Sequence, residues 1–155
     1  MNADRMRRTI VAMDVENRLY PSEEQQKRFI GEPGPVGPIV MVNLLKFRDR
    51  AVYEDGSDPH LSGREAYQRY GAAVAELIRH YGGRFVFAGD VTDLFIGEID
   101  DMWDEIALAE YPDRASFTAM ITSPEFQAAA HHREAGLEGQ LNIETTWLPV
   151  FRRDS

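Results

Sequence analysis

The side chains best suited to proton transfer are adjacent, at His131, His132 and Arg133. A histidine titrates near neutral pH and can act as a general acid or base, while a guanidinium binds carboxylates through paired hydrogen bonds. Adjacent histidines on a helix project about 100° apart, whereas zinc-binding pairs are normally spaced i and i+4. We therefore expect no shared metal here, and each histidine is either a general base or a solvated or capping side chain.

Arg133 is predicted to point into the protein. On its predicted helix it lies about 20° from Phe126, the inward reference. A buried guanidinium needs a partner, because an unpaired buried charge costs several kcal/mol. Glu110, at the end of a neighbouring predicted strand, is the carboxylate we expect to contact it. The pair is either structural, which we favour, or part of a site in which Arg133 anchors an anionic substrate.

Four more side chains are candidates for a small-molecule site. Asn43 lies mid-strand, where a buried amide must be hydrogen-bonded, so it either orients a ligand carbonyl or satisfies the neighbouring backbone. Lys46 is on the opposite face of that strand. It is either a snorkelling side chain that extends its ammonium group to water or a cation in a ligand pocket. Tyr67 and Tyr70 are on the sheet-facing stripe of a predicted helix, mostly as core residues whose hydroxyls could reach a pocket rim.

Hydrophobic periodicity and capping residues predict the elements that position these side chains. Four strands are predicted, and Leu94–Glu98 could continue the second after a turn. Their ranges are Ile39–Phe47, Arg84–Val91, Glu105–Tyr111 and Leu141–Leu148.

Capping residues predict three helices among these strands. Ser62 and Glu65 fit a capping box before a helix that stops at Gly82-Gly83. Asp113 caps a second helix, and Ser123-Pro124 starts a third that runs to about Gly136.

The order strand, helix, strand, strand, helix, strand predicts an α+β fold, a ferredoxin-like four-stranded antiparallel sheet with helices on one face. The other face then has no cover. Four strands of about six residues leave a bare face on the order of 400 Å², near the limit for a monomer. We therefore expect a homodimer with sheet packed on sheet, unless the N-terminal segment covers that face.

Length and composition limit the remaining possibilities. The chain has 155 residues, so we expect one domain over 39–150, preceded by an extension over 1–38. Within the extension we expect a short helix at Glu23–Ile30, and Thr9–Met13 could form a short strand. A net charge of −9 argues against nucleic acid, and no apolar run is long enough for a membrane span. We expect a cytoplasmic protein. The polar loop 48–61 is long enough to be a functional lid or disordered.

Several short strings along the chain form a recognisable combination. They are Met41–Phe47, Ser62–Tyr67, Tyr81–Gly83, Glu110–Pro112, Ser123–Gln127 and His132–Leu137. Together they resemble the domain-of-unknown-function 1330 family over about residues 22–146. The resemblance implies the dimeric α/β-barrel superfamily, which includes cofactor-free monooxygenases, small isomerases and haem-degrading enzymes. Of the two histidines, His132 fits the family pattern.

The functional hypothesis is a small-molecule-binding protein that acts as a cofactor-free oxygenase or isomerase on a small organic acid or aromatic compound. In that version His132 is the acid or base, Arg133 the anion anchor and Asn43 the carbonyl or oxyanion donor. Glu110, Lys46 and the two tyrosines would then contact the substrate, and no cofactor or metal is expected. The alternative is a non-catalytic dimeric binding or structural module whose polar side chains satisfy one another.

Overall fold

A computed structural model describes residues 14–152. Its strands and helices occur in the predicted order, including the short helix predicted before the first strand. They are α1 (Glu23–Gly31), β1 (Ile39–Phe47), α2 (Gly63–His80), β2 (Arg84–Asp90), β3 (Glu105–Tyr111), α3 (Arg114–Ile121), α4 (Pro124–Gly136), β4 (Leu137–Thr146) and a short 3-10 turn, Pro149–Phe151.

The four strands form one antiparallel sheet in the order β2-β3-β1-β4, which confirms the predicted ferredoxin-like fold. The two central strands, β1 and β3, pair so that Asn43 lies opposite Ala107. Because side chains alternate along a strand, this register decides which residues share a face. Met41, Asn43 and Leu45 therefore share the helix-covered face with Ala109.

Capping residues fix where the helices begin. Ser62 accepts from the Glu65 amide while the Glu65 carboxylate accepts from the Ser62 amide, which confirms the predicted capping box. The Ser123 hydroxyl accepts from the Phe126 amide at the start of α4, and Asp113 caps α3. The helices thus begin where the sequence predicts because the capping bonds are local.

The uncovered face of the sheet carries an apolar row across all four strands. Phe87 pairs with Leu108, Leu108 with Val42, and Val42 with Ile143, so all four side chains share this face. Phe87 is 54% exposed and Ile143 45% exposed. A second row beside it contains Ile106 and Leu44 among its members. Within the described chain this face remains open to solvent.

The described part of the N-terminal segment lies on the other side of the sheet. Phe29 of α1 packs edge-on against Phe117 of α3, with ring centroids 5.6 Å apart. Leu19 packs against the cluster of Leu45, Phe47 and Leu137. Residues 14–38 therefore leave the apolar rows uncovered. The strand predicted at Thr9–Met13 lies outside the described residues.

Two predicted strand boundaries are wrong. Leu94–Glu98 forms no strand, because the chain leaves the sheet after Asp90 and returns only at Glu105. The last strand begins at Leu137 instead of Leu141, immediately after α4, and ends at Thr146.

Among residues 14–152, no helix has the length and apolar character needed to cross a membrane.

Candidate functional site

An open polar cavity of about 330 Å³ lies between the loop 48–61 and helices α2 and α4. We call it the histidine cavity. It contains His132 and several polar side chains that the sequence hypothesis did not include. Its lining residues are Tyr53, Glu54, Asp55, Ser57, Asp58, Arg69, His131 and His132.

Backbone hydrogen bonds fasten the loop 48–61 to the end of α4. The Arg48 amide donates to the Gly136 carbonyl at 2.9 Å, and the Val52 amide donates to the Ala135 carbonyl at 3.0 Å. These bonds satisfy carbonyls that the helix end leaves without partners. Tyr53, which follows directly, is only 7% exposed. The loop is therefore a fixed wall of the cavity rather than a disordered segment.

Two glycines allow α2 and α4 to approach closely enough to form the cavity. A Cβ atom on Gly63 would lie 2.2 Å from the Arg48 carbonyl oxygen and 2.5 Å from that of Gly136. A Cβ atom on Gly136 would lie 2.4 Å from the Gly63 carbonyl oxygen. Any side chain at either position would push the helices apart. This contact sets the spacing between Arg69 on α2 and His132 on α4.

A chain of polar contacts orients His132. The Tyr53 hydroxyl lies 2.7 Å from His132 Nδ1. The Arg69 guanidinium lies beside Tyr53, with Cζ 6.0 Å from the ring centroid, and pairs with Asp58, with Nη1 2.8 Å from Oδ2. Asp58 has φ 47°, in the left-handed region that aspartate tolerates better than most residues. Asp58, Arg69, Tyr53 and His132 thus form a continuous polar series.

His131 is held by a different contact. Its Nδ1 atom lies 2.8 Å from the Ala128 carbonyl oxygen, one turn back on α4. The His131 and His132 rings nevertheless meet, with centroids 3.9 Å apart and planes tilted by 37°. Side-chain rotamers therefore bring together two rings whose Cα–Cβ bonds diverge.

His132 is biased toward its neutral form. Burial lowers its pKa, a proton on His131 and the positive charge of Arg69 lower the pKa further, and Asp58 opposes them. A neutral imidazole has one donor and one acceptor nitrogen, so His132 can exchange a proton at neutral pH. Among residues 14–152, no group of three or more histidine, aspartate or glutamate side chains is arranged to hold a metal ion.

A second polar group, which we call the arginine cluster, consists of Arg133, Gln140 and Asn43. Arg133 Nε donates to Gln140 Oε1 at 3.0 Å, and Gln140 Nε2 donates to Asn43 Oδ1 at 3.3 Å. Asn43 Nδ2 in turn donates to the Ala107 carbonyl at 3.3 Å. Arg133 also donates to the Leu19 carbonyl. These side chains satisfy one another between α4 and the sheet.

The N-terminal segment closes over this cluster. Arg18 and Gln140 exchange two backbone hydrogen bonds, at 3.1 and 3.0 Å, as an isolated antiparallel bridge. The tight approach requires Gly139, because a Cβ atom there would lie 2.6 Å from Asn17 Cβ. The cluster is therefore covered by backbone that the sequence hypothesis treated as an extension.

Tyr67 and Tyr70 are core residues next to the arginine cluster. Their ring centroids lie 5.2 Å apart, and Tyr67 packs against Phe47 while Tyr70 packs against Phe126. Burial raises the pKa of Tyr70 to about 12 and also raises the pKa of Tyr67. Both phenols therefore remain protonated at neutral pH.

The predicted contact between Glu110 and Arg133 is wrong. Glu110 is on the uncovered face of the sheet, where its Oε1 lies 3.0 Å from Arg84 Nε and its Oε2 accepts from the Trp147 indole. Arg133 is on the helix-covered side. The sheet itself separates the two charges, because Glu110 pairs with Val40 and therefore points away from Asn43.

Lys46 is also on the uncovered face, at the end of β1. Its Nζ lies 2.8 Å from Asp101 Oδ1 and 3.7 Å from Asp104 Oδ1, and it donates to the Met102 carbonyl at 2.9 Å. Lys46 thus ties the loop 91–104 to the sheet.

The predicted site residues consequently fall into three places. Asn43 and Arg133 meet through Gln140 beside the two tyrosines, His132 lies in the histidine cavity, and Glu110 and Lys46 lie on the uncovered face. Sequence reasoning missed Tyr53, Arg69 and Asp58. The available signal was the length of the loop 48–61, which is typical of a functional segment, and an aromatic residue inside it.

Comparison with known families identifies the group to which the chain belongs. Residues 58–145 match the family described as domain of unknown function DUF1330, which is more than half of the chain. The chain belongs to the DUF1330 family. The match includes His131, His132, Arg69 and Asp58 but not Tyr53. A comparison with curated proteins found no match.

Solved structures agree with this assignment. A protein of unknown function from Rhodopseudomonas palustris is 34% identical, with a TM-score of 0.77, covering 86% of this chain and 98% of that one. A methylated form of that protein gives 34% identity and a TM-score of 0.79, covering 88% of this chain and 98% of that one. SnoaB from Streptomyces nogalater, a cofactor-independent oxygenase, is 14% identical with a TM-score of 0.50, covering 76% of this chain and 100% of that one. At that identity the likeness concerns the fold alone.

Proposed function

We propose that this DUF1330 protein is a homodimer that binds a small neutral organic compound in the histidine cavity and moves protons on it without a cofactor. The observation that carries the proposal is the 2.7 Å contact between the Tyr53 hydroxyl and His132 Nδ1 at the wall of an open cavity of about 330 Å³. A general acid or base must lie within hydrogen-bond reach of its substrate, and His132 lines the space that a substrate would enter.

The charge around the cavity argues for a neutral ligand. Glu54, Asp55 and Asp58 line it, and Arg69, which also lines it, is paired with Asp58. The hydrogen bonds that Ser57 makes to Asp55 lower the pKa of that carboxyl, so it is ionised at neutral pH. An organic acid, the first class of substrate expected from the sequence, would be repelled. A carbonyl compound or a phenol, including aromatic ones, would not.

The chemistry fits isomerisation better than a binding role alone. Tyr53 and Arg69 orient one imidazole and leave its second nitrogen for a ligand, as catalytic histidines require. Proton removal from carbon is the first step of isomerisation, and it also precedes attack on dioxygen in oxygenation without a cofactor. Isomerisation needs proton transfer alone, for which the cavity supplies the groups, and we therefore favour the isomerase version.

The dimer is proposed from the uncovered face of the sheet. The apolar row of Phe87, Leu108, Val42 and Ile143 is continuous across four strands, and described residues 14–38 lie on the opposite side. A stable interface buries about 800 Å² per partner. The sheet face and the exposed apolar residues Phe95 and Ile96 of the adjoining loop together offer a surface of that kind. A second copy of this chain presents the same apolar face.

Gel filtration with light scattering tests the assembly. At micromolar concentration we expect twice the monomer mass of 17.6 kDa, and we expect the mass of a monomer for Leu108→Arg, which places a charge in the centre of the apolar row. A monomeric wild-type protein would contradict the dimer and leave the cavity proposal to its own test.

A ligand screen tests the function. Thermal-shift measurements with neutral carbonyl compounds, phenols and carboxylic acids are made on wild type, His132→Gln and the control His80→Gln. His80 is exposed in the last turn of α2 and does not line the cavity. We expect stabilisation by neutral compounds that persists in the control and is lost in His132→Gln. Equal stabilisation of all three proteins, or none of any, would contradict the proposal.

The second candidate function is a non-catalytic dimeric binding or structural module. The arginine cluster favours it, since Arg133, Gln140 and Asn43 satisfy one another beneath the N-terminal segment. In that case the Tyr53 contact to His132 would serve only to hold the loop 48–61 on α4. The screen separates the two candidates, because a structural module would bind no compound in a manner that depends on His132.

A further inference from the structure

The hydrogen bond to His131 determines which of its ring nitrogens carries the proton. The partner of His131 Nδ1 is the Ala128 carbonyl oxygen, at 2.8 Å. A carbonyl oxygen only accepts, so neutral His131 must carry its proton on Nδ1. Its Nε2 atom then bears a lone pair. Because the ring lines the histidine cavity, His131 offers an acceptor, and therefore a base, to a ligand.

The contacts of Tyr53 give His132 the opposite arrangement. The Arg69 guanidinium, which has only donors, lies beside Tyr53 with Cζ 6.0 Å from the ring centroid, and its positive charge favours the orientation in which the hydroxyl oxygen faces Arg69. The hydroxyl proton is then free to be donated to His132 Nδ1, 2.7 Å away. With Nδ1 as an acceptor, neutral His132 carries its proton on Nε2. His132 therefore offers a donor where His131 offers an acceptor.

The two Nε2 atoms belong to rings that lie almost on top of each other, with centroids 3.9 Å apart. A small molecule in the cavity can contact both. We propose that His131 is a base and His132 a hydrogen-bond donor in one site for a neutral, enolisable carbonyl compound. This proposal rests on the proposed function, which it deepens by naming a second catalytic residue and the substrate class.

The reaction step needs no other reactant. His131 Nε2 takes a proton from the carbon next to the carbonyl group, and the electron pair of that C–H bond forms the new carbon–carbon double bond. The carbonyl π electrons move to oxygen, where the Nε2–H group of His132 stabilises the negative charge. His131, now protonated, returns the proton to the γ carbon of a β,γ-unsaturated substrate as the carbonyl group re-forms, and the carbon–carbon double bond moves into conjugation with that group. The substrate is neither oxidised nor reduced, and both histidines end as they began.

NMR spectroscopy tests the proposed tautomers of His131 and His132 directly, without any ligand. In long-range proton–nitrogen NMR spectra near pH 8, the ring nitrogens of each histidine report which of them is protonated. The four histidine signals are assigned with single His→Gln variants. We expect the Nδ1–H tautomer for His131 and the Nε2–H tautomer for His132. The same tautomer at both positions, or the reverse assignment, would overturn the division of roles.

Tyr53→Phe makes that test specific. Loss of the hydroxyl removes the donor to His132 Nδ1, so we expect His132 to become a mixture of tautomers while His131 is unchanged. Tyr81→Phe is the matched control, because Tyr81 packs in the main core and does not line the cavity. If His132 keeps a single Nε2–H tautomer in Tyr53→Phe, then Tyr53 does not set its proton and the proposal fails.

Phenol, a stable analogue of an enol, tests the substrate class. Its hydroxyl can donate to His131 Nε2 and accept from His132 Nε2–H, whereas anisole lacks the donor and benzoate carries a charge. We expect phenol to shift the Nε2 signals of both histidines in a saturable manner, with smaller shifts from the other two compounds. Shifts at only one histidine, or at neither, would overturn the shared site. In that case, a compound that stabilises wild type but not His132→Gln in the thermal-shift screen would still support the proposed function.

Discussion

The histidine cavity and the arginine cluster lie on different sides of the same helix, α4, and their polar atoms are used differently. In the cluster, Arg133, Gln140 and Asn43 form hydrogen bonds with one another, and Arg133 also donates to the Leu19 carbonyl. In the cavity, His132 uses only Nδ1 in its contact with Tyr53, and its ring faces an open space. Two consecutive residues of α4 thus serve different purposes. A charged side chain on the core-facing side of a helix can have a structural role or a catalytic one. Whether its polar atoms face an open cavity distinguishes the two roles.

The histidine cavity and the arginine cluster both depend on the close contact between Gly63 and Gly136. For Gly63→Ala we expect the largest effect, a loss of about 3 kcal/mol in the free energy of unfolding, since the new methyl group meets backbone oxygens that cannot move aside. Chemical denaturation measures it. Gly71→Ala, on the same helix with nothing within 4 Å of its Cβ position, is the control and should instead stabilise the protein by about 0.5–1 kcal/mol. Similar values for both variants would refute the close-contact explanation.

Arg133→Met tests the arginine cluster alone. Methionine fills much of the same volume but leaves Gln140 Oε1 and the Leu19 carbonyl without a donor. We expect a loss of about 2 kcal/mol in the free energy of unfolding, typical of hydrogen bonds from a charged group.

Ligand binding at the histidine cavity should be unchanged in the folded Arg133→Met protein, as measured by the thermal shift that a screened compound produces. Loss of binding without loss of stability would reverse our comparison and assign the ligand site to the cluster.

Tyr53→Phe tests the cavity in the same manner. The variant removes one hydrogen bond and no packing volume, so we expect a decrease of only about 1 kcal/mol in stability. Binding of neutral compounds should fall sharply, because His132 is no longer held in one orientation. A variant that loses stability but binds normally would indicate that the contact only fastens the loop.

The pH dependence of stability gives the smallest expected effect. Burial lowers the pKa of His132 in the folded protein, so the unfolded chain binds a proton at this position more readily. The contribution of neutral His132 is fully present above the unfolded pKa of about 6.5, and it is lost as the pH falls toward the folded pKa. Between pH 8 and 5, wild type should therefore lose more stability than His132→Gln. Parallel curves in thermal melts would show that His132 is not perturbed.

Much of the fold was predictable because its signals are local. The Ser62 capping box, the Ser123 cap and the alternation in β3 each depend on residues within one or two turns, and all three appear as expected. The start of β4 was missed because Leu137 follows α4 with no turn residue between them, so no local signal marks the change.

The amino-acid sequence by itself determined the order of elements, the family and the presence of adjacent ionisable side chains on one helix. Only the tertiary structure decided how those side chains are used. The pairing of Asn43 with Ala107 turned Glu110 away from Arg133, and the packing of the loop 48–61 on α4 brought Tyr53 to His132 across 79 positions of sequence. Strand register and helix approach depend on many distant contacts at once, so periodicity along the chain cannot specify which polar groups finally meet.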